Sequence, residues 1–373
     1  LAAGANVNAA NEEGETPLTL AAMNGNAAMI AKLLKAGASA KAARWNGETA
    51  LMIAAGAGNA QAVQSLVDGG APLNAVESRK GQTALMWAAD DGHTAVVKLL
   101  LEKGADHKLV SKAGFPALAF ATIKGDAESV KLLIGAGADP NTALPDGSKI
   151  IHAAAAYGNV AATRTLLAMG ADVNPPNAMG QTALHLAAQA GSLPLVEALL
   201  AKGASPHART KDTPPGGRGF FRPPPGQQTP LLVAARGGHI PVMKALLAAG
   251  ADPKVKAQDG MTLLMAAVGS AQVDVVRLAY AHDNDTKVAT PDGTTLMHAS
   301  VTGTSGTALP EAQERVCQVI RFLAEKGAPL DEKNAAGRTP IDIADILPID
   351  KAVDLLTELI LKSGATPKSP SKR

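Results

Sequence analysis

The eight histidines are the side chains of this sequence best suited to metal binding or acid–base catalysis. Five of them fall at two recurring positions of an internal repeat, which indicates a structural role: His93, His152, His185, His239 and His298. The other three, His107, His207 and His282, lie in distant segments, and no pair has the spacing of zinc ligands on a helix or hairpin. The histidines therefore predict no metal site.

Nucleophilic, calcium-binding and phosphate-binding motifs have equally weak support. The single cysteine, Cys317, falls at an apolar position of a helical pattern, which predicts a buried and inert thiol. The run Asp283-Asn284-Asp285 leaves a calcium site open, but its spacing does not match an EF-hand loop. We expect these residues to form a left-handed turn, a conformation that Asp and Asn tolerate. The glycine-rich segment 216–219 is flanked by prolines and opens no helix, so it does not match a phosphate-binding loop. The sequence therefore predicts neither an active site nor a cofactor.

The bulk composition narrows the classes of partner. Lys and Arg number 35 against 33 Asp and Glu, a formal net charge of +2 that disfavours nucleic acid. No apolar run approaches the eighteen or so residues of a membrane span, which predicts a soluble protein without direct membrane insertion. The chain opens within the tail of a repeat, at LAAGANVN. The presence of a signal peptide or of further repeats before Leu1 is therefore left open, and so is the compartment.

The elements that would position any functional residue belong to a repeated unit. Most units begin with a glycine two residues before Thr, and the aligned unit starts lie at 14, 47, 81, 114, 147, 180, 227, 260, 293 and 337. Most of the intervals are close to 33 residues. Thr16 and Thr83 stand where a hydroxyl caps a first helix, and paired alanines let neighbouring first helices approach closely. Val96, Val97, Leu99 and Leu100 form an apolar stripe on a second helix, which glycines such as Gly104 end.

This unit resembles the ankyrin repeat, most clearly in GQTALMWAADDGHTAVVKLLLEKGAD from Gly81 and GQTALHLAAQAGSLPLVEALLAKGAS from Gly180. The resemblance covers nearly the whole chain. It implies an all-α solenoid of about ten helix-turn-helix units with β-hairpin-like fingers between them. Alanine-rich, cysteine-poor repeats of this kind are similar to those of bacterial ankyrin proteins, some of which are exported. A bacterial cytoplasmic, exported or periplasmic location is therefore the expectation.

A single solenoid is expected over residues 1–365, followed by a basic disordered tail at 366–373. Its irregular parts are a truncated first repeat at 1–13, an enlarged finger at 208–226, an insertion between two helices at 302–314 and a capping repeat at 337–365. Pro310 is expected to open a lengthened second helix after the inter-helix insertion.

Two surfaces are predicted to bind a partner, because ankyrin proteins generally use their fingers and the concave face of their first helices. The N-terminal groove combines finger residues with an apolar stripe on the first helices: Arg44, Trp45, Arg79, Lys80, Lys112, Leu20, Ile53, Trp87 and Phe120. The enlarged finger offers an aromatic pair flanked by cations: Arg218, Phe220, Phe221 and Arg222. A purely structural use stays open for both, since the phenylalanines could instead cover the adjacent repeat.

The resulting functional prediction is a non-catalytic scaffold or accessory subunit that binds a protein of unknown identity, with membership of a larger assembly left open. The alternative is a regulatory or inhibitory domain of a longer chain whose catalytic or cofactor domain lies elsewhere. Sequences before Leu1 and after Arg373 would separate the two, and sequence alone does not name the partner.

Overall fold

The computed structural model describes residues 4–213, 225–302 and 309–369. Every regular element in these ranges is an α-helix, and there are twenty of them. They fall into two compact units, Leu1–Ala178 and Met179–Arg373. Most of the helices are short because a repeat provides only two or three turns before a glycine or a cap ends each helix. The predicted all-α class is confirmed, whereas one continuous solenoid over 1–365 stays a prediction.

In the first unit, helices alternate between an inner set that follows each finger and an outer set that completes each repeat. Inner helices contact the next inner helix and outer helices the next outer helix, so neighbouring repeats bury one another's apolar faces. The helices are α1 (Pro17–Met23), α2 (Ala27–Lys35), α3 (Ala50–Gly56), α4 (Ala60–Asp68), α5 (Ala84–Asp91), α6 (Thr94–Glu102), α7 (Ala117–Lys124), α8 (Ala127–Gly135), α9 (Ile150–Ala156) and α10 (Val160–Ala168).

The second unit repeats this plan with longer outer helices towards its end. Pro310 opens a sixteen-residue outer helix, as predicted. The helices are α11 (Ala183–Gln189), α12 (Leu193–Leu200), α13 (Pro230–Gly237), α14 (Ile240–Ala248), α15 (Leu263–Val268), α16 (Val273–His282), α17 (Leu296–Thr302), α18 (Pro310–Glu325), α19 (Pro340–Ile346) and α20 (Asp350–Lys362).

Threonine caps and left-handed glycines set the helix boundaries. The Thr16 hydroxyl accepts the amide hydrogen of Thr19, and the Thr83 hydroxyl accepts that of Met86, each at 3.3 Å. Gly104 follows the C-cap of α6 with φ near 88°, a backbone conformation that residues with a Cβ rarely adopt. The fingers carry isolated antiparallel bridges, such as Ala43 with Thr49, rather than extended strands.

The core consists of small and aliphatic side chains, as the scarcity of aromatic residues requires. The paired alanines Ala88 and Ala89 are completely buried, so adjacent inner helices lie close together. On α6, Val96, Val97 and Leu100 are completely buried, whereas Leu99 is only half-buried. The stripe is therefore narrower than the sequence pattern indicates.

The acidic run after α16 does not form the predicted left-handed turn. Asp283 leaves the helix in an extended conformation, with φ of −140°, and no residue of the run has a positive φ. Its buried carboxylate accepts the amide hydrogen of Leu264 at 3.4 Å and lies 3.8 Å from the Lys254 ammonium. The prediction of a left-handed turn was wrong because this carboxylate is drawn back towards the first turn of α15.

Cys317 is buried on α18, as predicted. Burial raises the pKa of its thiol, and the nearby Glu314 carboxylate adds to the increase. A raised pKa keeps the group as the thiol, the unreactive form.

His298 links two repeats through a neutral imidazole. Its Nδ1 accepts the amide hydrogen of Thr295 at 3.1 Å, so Nε2 carries the proton and donates to the carbonyl of Arg338 at 2.9 Å. Desolvation lowers the pKa of His298, outweighing the opposing effect of the bond to Arg338. The folded protein therefore takes up this proton at lower pH than the unfolded chain does.

We expect the free energy of unfolding to fall as pH drops below about 6.5, the pKa of an unperturbed histidine. The unfolded chain binds the proton there, while the folded chain resists it until the lowered pKa is reached. Urea unfolding across this pH range measures the slope for the wild type and for His298→Met, since Met52 and Met86 occupy the equivalent position in other repeats. An identical slope in the two proteins would contradict the expectation.

Candidate functional site

The fingers of the first unit are joined to one another through the backbone. The amide of Trp45 donates to the carbonyl of Glu13 at 3.3 Å, and the amide of Lys112 donates to the carbonyl of Lys80 at 2.8 Å. Between these two links, the amide of Ser78 donates to the carbonyl of Asn46 at 2.7 Å. Consecutive finger turns are thus held side by side, which places the predicted finger residues on adjoining turns.

The side chains on these turns are open to solvent. Trp45 is 78% exposed, although tryptophan is the largest apolar side chain and only two occur in the sequence. Arg79, Lys80 and Lys112 are also exposed, and the Lys112 ammonium donates to the carbonyl of Ser78 in the preceding finger. The structure therefore brings an exposed indole and three cations together on neighbouring fingers, as the sequence predicted for these four.

Arg44 lies beside Trp45 but is engaged within the fold. Its guanidinium donates to the Glu48 carboxylate at 2.9 Å and to the Glu15 carboxylate of the preceding finger. The bonds to Glu48 and Glu15 raise the pKa of Arg44, and the bond from Arg44 lowers the pKa of Glu15. The Arg44 side chain is 20% exposed, so its clearest role is to fix the turn that presents Trp45.

Glu77 performs a similar task in the next finger, and sequence reasoning missed it. Its carboxylate is buried and accepts the amide hydrogens of Arg79 at 2.6 Å, Lys80 at 2.8 Å and Gln82 at 2.9 Å. Burial alone would raise the pKa of Glu77, but these hydrogen bonds outweigh it, and the pKa lies below its ordinary value. A charged carboxylate therefore holds the turn that displays Arg79 and Lys80.

The apolar stripe on the inner helices is open only in part. Leu20 is 44% exposed, Ile53 is almost completely buried, and Trp87 and Phe120 are half-buried. The Trp87 ring packs on Gly56, where an added Cβ would lie 2.9 Å from Cε3 of the ring. The stripe therefore offers a shallow apolar floor beneath the fingers, with Leu20 as its most accessible member.

The enlarged finger is described only at its base. Arg218, Phe220, Phe221 and Arg222 lie outside the described residues. At the base, the Gln258 carboxamide oxygen accepts the amide hydrogens of Thr213 at 2.7 Å and Gly226 at 3.0 Å. One side chain from the next finger thus brings together the two ends from which residues 214–224 depart.

Across the described ranges, no group of three or more His, Cys, Asp or Glu residues is placed to hold a metal ion. None of the helices in these ranges combines the length and the apolar character needed to cross a bilayer.

A family model described as ankyrin repeats (3 copies) matches residues 1–75, 33–111, 118–210 and 231–310, more than half of the chain. The structure is similar to the human ASB11 ankyrin repeat domain, with 24% identity and a TM-score of 0.54 over 63% of this chain and 98% of that one, which concerns the fold alone. It is also similar to the ankyrin repeat domain of Bcl-3, a member of the IkappaB family, with 28% identity and a TM-score of 0.52 over 63% of this chain and all of that one. No curated protein matched the sequence.

Proposed function

The chain belongs to the ankyrin-repeat family, and from this premise we propose that it is a non-catalytic scaffold or accessory subunit that binds a protein partner through its fingers and concave groove. Ankyrin repeats are generally protein–protein interaction modules. The observation that carries the proposal is the exposure of Trp45 on fingers that internal hydrogen bonds hold in place. A preorganised anchor loses little conformational entropy when it binds.

The chemistry of the fingers favours a particular kind of partner surface. Tryptophan and arginine are the residues that most often dominate binding energy at interfaces, and Trp45 and Arg79 lie on adjoining fingers. The surrounding cations, Lys80 and Lys112, favour acidic groups on the partner. We therefore propose an apolar pocket with an acidic rim as the surface that receives Trp45.

A double substitution tests this proposal after the partner has been captured from native extract and identified by mass spectrometry. Trp45→Ala with Arg79→Ala is expected to weaken binding of the isolated partner at least about tenfold, or about 1.4 kcal/mol, because an anchor and a charge leave the same surface. Surface plasmon resonance measures the affinity, and circular dichroism should show unchanged helical content, since both side chains are exposed.

The matched control removes an exposed aromatic residue and a cation away from the fingers. Tyr157 lies on the turn between α9 and α10 and is 63% exposed, and Lys131 is exposed on α8. Tyr157→Ala with Lys131→Ala should leave the affinity unchanged. Equal affinities of the two double variants for the partner would show that the N-terminal groove is not the partner-binding surface.

A further inference from the structure

A cavity of about 540 Å³ opens on the finger side of the second unit. The inner helices α13, α15 and α17 line it through Arg236, Met265 and Ala299, and the fingers contribute Met261 and Thr294. Its volume falls within the range of ligand-binding pockets. Flexible methionine side chains adapt to the shape of a bound chain, so two of them suit a site for a polypeptide segment.

Among the described residues that line this cavity, Arg236 is the cation. One of its terminal nitrogens donates to the Gln228 carboxamide oxygen and lies 3.8 Å from the Met261 sulfur. No carboxylate among the described residues forms an ion pair with Arg236, whereas other cations of the chain are paired, such as Arg44 with Glu48. Desolvation lowers the pKa of Arg236, and the more distant Asp259 only partly opposes this effect. A partly buried guanidinium therefore faces the cavity without a carboxylate in contact with it.

Two aspartates, Asp259 and Asp292, also line the cavity and restrict what can enter. Asp259 accepts the amide hydrogen of Met261 at 3.1 Å, and Asp292 accepts that of Thr294 at 3.2 Å, so both stabilise their own finger turns. Their negative charge opposes a polyanion. A single carboxylate on a neutral or basic segment can pair with the guanidinium while its non-acidic flanking residues lie beside the two aspartates.

We propose that this cavity binds one aspartate or glutamate side chain of an otherwise non-acidic partner segment, with Arg236 as its ion-pair partner. The inference rests on the proposed protein-binding function but concerns a second surface, distinct from the Trp45 fingers. Arginine pairs with carboxylates in a bidentate geometry, and this pairing strengthens where water is partly excluded. Met261 and Met265 supply apolar contacts for the aliphatic part of the entering side chain.

A random-sequence peptide library passed over the immobilised full chain tests the proposal without knowledge of the partner. Retained peptides, sequenced by mass spectrometry, are expected to show Asp and Glu enriched about tenfold at one position and depleted at its neighbours. Arg236→Gln should abolish this enrichment. Lys244→Gln, which removes an exposed cation from the outer helix α14, should preserve it.

A second variant separates binding from folding. Ala299→Gln fills the cavity without removing the guanidinium and should also lose the acidic preference, so the test stands even if Arg236→Gln proves unstable. Retention of no peptides, retention without an acidic preference, or an equal preference in Arg236→Gln and the wild type would overturn the inference. Retained peptides enriched in clusters of acidic residues would also overturn the inference, and so would loss of the acidic preference in Lys244→Gln. Either result would indicate general electrostatic attraction. None of these results depends on Trp45, so they leave the proposed function to its own test.

Discussion

Leu100→Ala is expected to lower the free energy of unfolding by about 2–5 kcal/mol, the usual cost of removing a buried leucine side chain and leaving a cavity. Leu100 is completely buried on α6, which packs between α4 and α8. The three helices belong to successive repeats, so the cavity would open where neighbouring units stabilise one another. Urea unfolding followed by circular dichroism measures the change.

Leu99→Ala is the matched control, since it removes the same atoms from the adjacent position of the same helix. Leu99 is only half-buried, so it leaves a smaller cavity, and we expect less than half of the destabilisation. Equal losses for the two variants would show that the buried face of α6 has been assigned incorrectly.

These two leucines also show how far sequence could predict the fold. The repeat period, the threonine caps and the glycine helix ends were readable because each depends on local backbone chemistry. Leu99 and Leu100 are chemically identical and adjacent, so helical periodicity assigned both to the apolar stripe. Only the packing of α6 against its neighbours separates them.

The candidate site was predictable in position but not in the role of each side chain. Arg44 stands beside Trp45 in the sequence, yet one of its partners, Glu15, lies a full repeat away and emerges only from stacking. Glu77 escaped notice because its finger is one residue longer than its neighbours, which gives the 34-residue spacing from Gly47 to Gly81. In the first finger, the shorter Asn11 side chain accepts the amides of Glu13 and Glu15 instead.

Arg236 escaped prediction for a different reason. A basic residue in the last turn of a helix is favourable in itself, since it interacts with the helix dipole. The sequence therefore gave no sign that this guanidinium lies in a cavity. The same limit applies to Asp283. Its carboxylate accepts the amide hydrogen of Leu264, which lies nineteen residues earlier in the chain and in another helix.

Replacing residues 214–224 with two glycines is expected to preserve folding and weaken partner binding at least about a hundredfold, or about 2.7 kcal/mol. Contacts at the base of the enlarged finger explain why folding should be preserved. Thr213 and Gly226 donate to the same Gln258 oxygen, so their backbones lie close enough for a short link. Gln227 closes the base further through Asp212 at 2.7 Å. These contacts favour keeping Lys211, Asp212 and Thr213, because the Lys211 amide also donates to the carbonyl of Met179 at 2.9 Å.

The expected loss of binding comes from Phe220 and Phe221, two of only five phenylalanines in the chain. Each buried phenylalanine contributes about 1.5–3 kcal/mol, and such residues often dominate an interface. Phe220→Ser with Phe221→Ser keeps the loop length and should reproduce most of the loss. Deleting residues 303–308, which contain no aromatic residue, controls for the removal of chain.

Melting temperature and affinity for the captured partner, measured on all three variants, separate the two uses of the aromatic pair. A structural use predicts a lower melting temperature for the glycine replacement and for the serine variant, because apolar cover would leave the adjacent repeat. A binding use predicts unchanged melting with reduced affinity, because prolines and glycines contribute little to the stacking of repeats. Unchanged melting together with unchanged affinity would eliminate the enlarged finger as an anchor and leave the Trp45 fingers as the principal contact.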